Sequence, residues 1–288
     1  MLQLPNHEVL DQLKPIQHSE KLQESINNPK KLEVLIKQAD ELYNKKYYKE
    51  AFILYEQASQ MNNARAIRRM GLCYNNGNGV EKNMQKAIEM TEKAAELGDA
   101  DAIFNLAIYY EEGIELEKNM KKAIELFERA AGLENASAMR SLGFYYETGF
   151  EVEQNIEKAI ELYDRAAELG DEEAMLDLAN YFVDKKNNMK KAIKLYNKSD
   201  DLGNALAFHN LACCYERGEG VERCMKKAIE LYEKAVGLGE PLAMHNLGLC
   251  YVNGEGVEKD LEKAFNLLKN AAAKGITESS EYLKQLER

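Results

Sequence analysis

His209, Cys213 and His245 come nearest, by type and spacing, to residues that do chemistry in this 288-residue chain. The histidines stand 36 residues apart and Cys213 lies one helical turn beyond the first. On neighbouring helices about 10 Å apart, two imidazoles and a thiol could approach one zinc ion. No fourth ligand accompanies them, and a polar surface role explains each histidine equally well, so neither a metal nor any other cofactor is expected. Catalysis finds no better footing: the histidines have no Gly-x-Ser-x-Gly or other nucleophile elbow. Cys213-Cys214 is an adjacent pair and not the redox spacing Cys-x-x-Cys. Arg65, Arg68 and Arg69 cluster in an otherwise acidic chain, where they suit either a carboxylate or phosphate of a partner or glutamates on flanking helices. Gly77-x-Gly79, Gly218-x-Gly220 and Gly254-x-Gly256 invite a phosphate-loop reading, but no strand precedes them and they recur where a structural turn is needed.

That recurrence reveals the elements that must position these residues. A small residue follows a leucine (Met70 in the first copy) at Gly71, Ala107, Gly143, Ala179, Ala212 and Gly248, in steps of 36, 36, 36, 33 and 36. An aromatic keeps the same beat at Tyr74, Tyr110, Tyr146, Phe182, Tyr215 and Tyr251, and so does an alanine at Ala87, Ala123, Ala159, Ala192, Ala228 and Ala264. Six copies of such a unit define a repeat protein before any other feature is weighed. Within a unit, Ala102, Leu106, Ala107, Tyr109 and Tyr110 fall at helical offsets and make helix A. The glycine turn ends it, because glycine supplies positive φ beyond a helix C-terminus. Ala123, Leu126, Phe127 and Ala130 then line one face of helix B, with charges opposite, and the Lys-Lys-Ala-Ile-Glu runs read as solvated faces with helical charge pairs. One such pair cannot bury its small-residue faces alone, so the units must stack. The fold class is all-α.

Composition agrees and removes several functions. Four prolines fall outside the interiors of the repeat helices. A balance of 38 basic against 49 acidic residues, net −11, disfavours the phosphate backbone of nucleic acid as a partner. No stretch approaches a membrane span, and the first residues lack a basic start followed by an apolar run. Five cysteines without paired spacing point to free thiols in a reducing compartment, so a cytoplasmic location is expected.

The pattern Ala-x-x-x-Leu-Gly-x-x-Tyr, the Gly-x-Gly-Val turn, the Lys-Ala that opens helix B and the closing Ala-Ala-x-x-Gly resemble the Sel-1-like repeats of the tetratricopeptide superfamily, over about three quarters of the chain. The resemblance implies a right-handed α-solenoid of stacked antiparallel helix pairs. Six repeats would occupy residues 64–277, behind a tetratricopeptide-like capping pair over 30–63 and an N-terminal helical segment or tail over 1–29. A capping helix over 278–288 would close the chain. Gly113-Ile114-Glu115-Leu116 and Gly149-Phe150-Glu151-Val152 depart from the turn motif, Glu134 replaces a terminal glycine, and the fourth unit's turn is three residues shorter. Turn shape is left open at these places.

The resemblance also implies that the A helices line a concave groove. The positions exposed there would be Arg68 and Leu72, Phe104 and Ile108, Arg140 and Phe144, Leu176 and Asn180, His209 and Cys213, and His245 and Leu249. Arginines interleaved with aromatics suit a segment carrying acidic and apolar side chains, although Phe104, Ile108 and Phe144 also suit packing between neighbouring A helices. The expected function is a non-catalytic scaffold or adaptor that binds a partner protein or peptide, with no role for nucleic acid or membrane. The resemblance also admits the hydrolase activity of some relatives and a regulatory or virulence-type role on host complexes.

Overall fold

The computed structural model describes residues 29–184, 188–200 and 203–286. The expected N-terminal segment therefore lies outside the described residues, up to Pro29. Among the described residues there are fifteen α-helices and no strand. Two compact units divide the chain after Leu133. The first holds α1 (Pro29–Asn44), α2 (Tyr48–Ser59), α3 (Ala64–Asn76), α4 (Met84–Glu96), α5 (Ala100–Glu112) and α6 (Met120–Gly132). The second holds α7 (Ala136–Thr148), α8 (Ile156–Glu168), α9 (Glu172–Asp184), α10 (Met189–Asp200), α11 (Ala205–Arg217), α12 (Met225–Gly237), α13 (Pro241–Asn253), α14 (Leu261–Ala273) and α15 (Thr277–Leu286). Odd-numbered helices up to α13 are A helices, and each packs against the B helix that follows it. Within a unit each pair stacks on the next, and α15 lies against α14.

The helix boundaries follow from capping. Asn63, Asp99, Asn135, Asp171, Asn204 and Glu240 each accept a backbone N–H at the start of an A helix, and Asn83, Asn119, Asn155, Asn188 and Asp260 do the same for B helices. Cys224 occupies that place before α12 and makes no side-chain cap. Helices α3, α5, α7, α11 and α13 end on left-handed glycines, as at Gly77 (φ 73°) and Gly254 (φ 73°).

The turns that depart in sequence do not depart in backbone. Glu115 (φ 53°) and Glu151 (φ 60°) adopt the left-handed conformation of Gly79, Gly220 and Gly256, and Glu134 (φ 60°) does so where Gly98 and Gly170 stand in other copies. At the shortened turn, residues 185–187 lie outside the described residues, but its closure is the common one. Asn188 donates its N–H to the Phe182 carbonyl at 2.7 Å, as Asn83 does to Tyr74 at 2.9 Å and Asp260 to Tyr251 at 3.0 Å.

Stacking is tight because the contact residues are small. Ala87, Ala123, Ala192, Ala228 and Ala264 are wholly buried, and a methyl added to Gly143 would lie 2.6 Å from the Tyr163 ring. The lysine before each of these alanines is not simply solvated. Lys122, Lys158, Lys191 and Lys227 place their ammonium groups 4.1, 4.0, 4.2 and 4.5 Å from the ring centres of Tyr110, Tyr146, Phe182 and Tyr215. Three of them also donate to the tyrosine hydroxyl, so cation–π attraction pins the turn from helix B.

Two substitutions test this reading by urea denaturation at neutral pH. Cys224→Asn supplies the missing cap and is expected to stabilise by about 1 kcal/mol. Gly256→Ala is expected to destabilise by more than about 1 kcal/mol, because it forces a left-handed side chain and sets a carbon 2.9 Å from Met225 Cβ.

Candidate functional site

In the first unit the basic cluster is ion-paired with carboxylates of its own chain. Asp40 of α1 takes Arg65 Nη2 at 2.5 Å and Arg69 Nε at 3.2 Å, while the Tyr55 hydroxyl donates to the same carboxylate at 2.6 Å. Arg68 reaches forward from α3 to the start of α5, with Nε 2.8 Å from Asp99 and Nη2 2.9 Å from Asp101. Asp99 is also the N-cap of α5, so one carboxylate both starts that helix and holds it to α3. Leu72, Phe104 and Ile108 are half-buried, and the Phe104 ring packs 5.7 Å from Phe127 on α6.

The second unit repeats the arginine device. Arg140 on α7 lies 2.7 Å from Glu173, 3.7 Å from the α9 cap Asp171 and 4.0 Å from Asp177. Acid outnumbers base there. Burial pushes the Asp177 carboxyl up to about 6, and the charges of Glu147, Glu173 and Asp171 add to the rise against the pull of Arg140. Glu147 accepts the Tyr163 hydroxyl at 3.0 Å. One turn from Arg140, Phe144 is 54% exposed, touching Tyr145 edge-on at 5.9 Å; Tyr145 in turn stacks on the exposed Phe150 at 6.3 Å.

The expected exposure fails at two positions. Leu176 is buried among the small residues of α9, and His209 is buried where α11, α12 and α13 meet. Asn180 is exposed, and its side-chain oxygen accepts the Tyr196 hydroxyl at 2.7 Å. His245 is half-buried with Nδ1 2.7 Å from Ser279 Oγ of α15, and Leu249 packs against the Val252, Ala264 and Leu268 cluster.

His209, Cys213, Tyr232 and Asn246 form one network whose protons can be assigned. Tyr232 donates to Glu216 at 2.5 Å, so its oxygen is free to accept from the Cys213 thiol at 3.2 Å and the Asn246 amide at 3.2 Å. The Asn246 amide also donates to His209 Nε2 at 3.1 Å, which places the ring proton on Nδ1, facing Asn210 Oδ1 at 3.1 Å. Burial lowers the His209 pKa and raises that of Cys213. Both groups are neutral near pH 7, and the imidazole lone pair next to the thiol is already engaged. His209 and His245 therefore turn to different partners instead of converging on one ion. Among the described residues no group of three or more His, Cys, Asp or Glu side chains could hold a metal.

The residues the sequence reading passed over are the acids. Asp99 and Asp171 stand 31 residues after Arg68 and Arg140, and Asp101 and Glu173 stand 33 after them, so an arginine and its two acceptors recur in one register.

With this geometry in place, the comparisons are consistent. A family model described as Sel1 repeat matches residues 46–63, 64–99, 100–135, 136–171, 172–204, 205–240 and 241–276. It thus takes in the second helix of the N-terminal pair as well as the six full units. A Sel1 repeat protein from Oxalobacter formigenes is 29% identical, with a TM-score of 0.78 over 83% of this chain and 99% of its own. The c5321 protective antigen of uropathogenic Escherichia coli, which displays the SLR fold, is 26% identical with a TM-score of 0.74 over 83% of this chain. The match spans about half of that antigen, 52% of its length. The immunity protein PA5088 from Pseudomonas aeruginosa, at 21% identity and a TM-score of 0.50, shares the fold. No curated protein matches the sequence. No described helix is long and apolar enough to cross a membrane.

The carboxylate cluster yields a pH prediction. Because the folded pKa of Asp177 lies above the usual carboxylate value, the penalty for ionising it is absent below about pH 4, builds as pH rises towards about 6 and is fully present above that. Asp177→Asn is expected to raise the melting temperature at pH 7 and leave it nearly unchanged at pH 4, as followed by circular dichroism.

Proposed function

The chain belongs to the Sel1 repeat family, and from that premise we propose that it is a non-catalytic scaffold that holds a partner protein or peptide on the A-helix face. Phe144 carries the reading. Its ring is 54% exposed in a register where Leu72, Ile108 and Leu249 are half-buried, and among the described residues no neighbouring helix covers it as Phe127 covers Phe104. An exposed aromatic at a helical position is the kind of anchor that dominates protein recognition. The electrostatics alter the partner expected from sequence. Arg65, Arg68, Arg69 and Arg140 are engaged by carboxylates of their own chain, and the surplus charge beside Phe144, from Glu147, Glu173 and Asp177, is negative. A segment with an apolar side chain for Phe144 and a lysine or arginine for these acids fits the surface; an acidic one does not. Asn180 adds polar contact in the second unit, and Leu72, Phe104 and Ile108 form the corresponding, shallower face of the first. The five cysteines are unpaired, which supports a reducing, cytoplasmic setting.

The test is calorimetric titration with the partner recovered from the native cell. Phe144→Ala is expected to weaken binding about tenfold or more, a loss of roughly 1.4 kcal/mol, and Asp177→Asn to weaken it less, while Leu97→Ala on a different part of the chain leaves it unchanged. Unaltered affinity in Phe144→Ala would exclude this face as the docking site.

A further inference from the structure

Given a partner docked at Phe144, as proposed above, we infer that the docked segment is extended and not helical, and that it passes from α7 to α9 with one of its backbone carbonyls on the side-chain amide of Asn180. Asn180 stands 36 residues after Phe144, in the same register of the next A helix. The two helices are joined one turn earlier by Arg140, which reaches Glu173 and Asp177 of α9.

The amide is held by a tyrosine of helix B. Tyr163 and Tyr232 donate their hydroxyls to Glu147 and Glu216, near the C-terminal ends of α7 and α11. In α9 that register carries Val183, whose side chain accepts nothing. The hydroxyl of the buried Tyr196 therefore turns to the residue one turn back and donates to Asn180 Oδ1 at 2.7 Å. The amide cannot rotate end for end without losing that bond. Its Nδ2 lies on the side away from Tyr196, on an exposed residue, and among the described residues no acceptor takes its two N–H groups.

The partner's own charge and hydrogen bonding decide what those donors can meet. A carboxylate is opposed by Glu147, Glu173 and Asp177, which crowd the same stretch of the face. A partner helix uses its carbonyls on its own N–H groups, except in its last turn. An extended segment has carbonyls open along its length, and main-chain bonds combined with side-chain anchors are one way such segments are held. Packed neighbouring helices lie about 10 Å apart, a span of about three extended residues, so a strand with an apolar side chain on Phe144 brings a carbonyl within reach of Asn180. Because Tyr196 already orients the amide, little further ordering is needed when that bond forms. Asp177, the carboxylate that Arg140 reaches least closely, at 4.0 Å, is placed to take the segment's lysine or arginine.

The probe is a set of capped peptides of about eight residues, too short to be helical in water, with one leucine and one lysine at every pair of positions in a serine–alanine background. Copies closed by a hydrocarbon staple present the same side chains on a helix. Fluorescence polarisation follows their binding to the full chain. The unstapled peptides are expected to bind more tightly than the stapled copies and to lose about tenfold or more with Phe144→Ala. Asn180→Asp keeps an oxygen for Tyr196 but removes the donor. It is expected to weaken the same peptides about threefold to tenfold, although its added negative charge favours their lysine. Exchanging single backbone amides of the best peptide for esters, whose carbonyls accept more weakly, should find one position where the loss seen with the wild type is absent with Asn180→Asp. Circular dichroism checks that both variants keep the wild-type helicity. Tighter binding of the stapled copies, or an Asn180→Asp variant that binds equally well or better, with the Phe144→Ala loss intact, would overturn the extended mode and leave the docking face standing. A set in which no binding depends on Phe144 would remove the docking face and this mode with it.

Discussion

The turns at Gly79, Gly220 and Gly256 each sit on the first turn of the preceding B helix, at a distance that admits no ordinary side chain. That contact sets how closely successive pairs approach, and so which faces of the A helices are covered and which are left to solvent. The buried alanines on the B helices serve the same end from inside the pair. The left-handed backbone required at the turn is so firmly imposed that Glu115 and Glu151 adopt it without glycine, a conformation that costs an L-residue about 1–2 kcal/mol. Local strain of this kind persists only where the surrounding packing over-determines it. A single pair would have no such packing.

The repeat made the fold legible from sequence because each structural requirement is stated several times. A small residue, an aromatic and an alanine that recur every 36 residues leave few architectures, and the caps at Asn63, Asp99 and Asn135 mark where helices begin. What stayed hidden were contacts between residues whose individual types look ordinary. Lys122 and Lys158 resemble solvated surface lysines until the rings of Tyr110 and Tyr146 are seen beneath them. The signal was nonetheless there, as a lysine fixed twelve residues after each tyrosine of the register, and nine after Phe182, where the turn is three residues shorter. The turn glutamates were opaque for a different reason, since propensity argues against φ > 0 for glutamate and tertiary packing overrides it.

The arginines show how a correct register still misleads about function. Arg68 and Arg140 were placed properly on the A helices, and an arginine on an open face suggests an acidic partner. The carboxylates they meet belong to the next A helix, which a reading confined to one unit does not bring into view. Asp99 and Asp171 each cap a helix and hold an arginine at once, so the charge that seemed available to a partner is consumed in joining neighbouring helix pairs within each unit. Once those pairs are formed the balance near Phe144 is negative, and the partner we propose changes sign with it.

The same accounting of lone pairs and protons separates a polar network from a reactive one. Cys213 and His209 lie 3.6 Å apart, with Tyr232 and Glu216 behind them, a set of types that in another arrangement would suggest an activated thiol. Activation requires a base whose lone pair faces the sulfur and an environment that favours the thiolate. Here the Asn246 amide occupies His209 Nε2, the Tyr232 hydroxyl directs its proton at Glu216, and burial favours the neutral thiol. Every group is satisfied by another in the ground state. Fully satisfied buried networks rigidify the elements they join, and this one ties α11, α12 and α13 together.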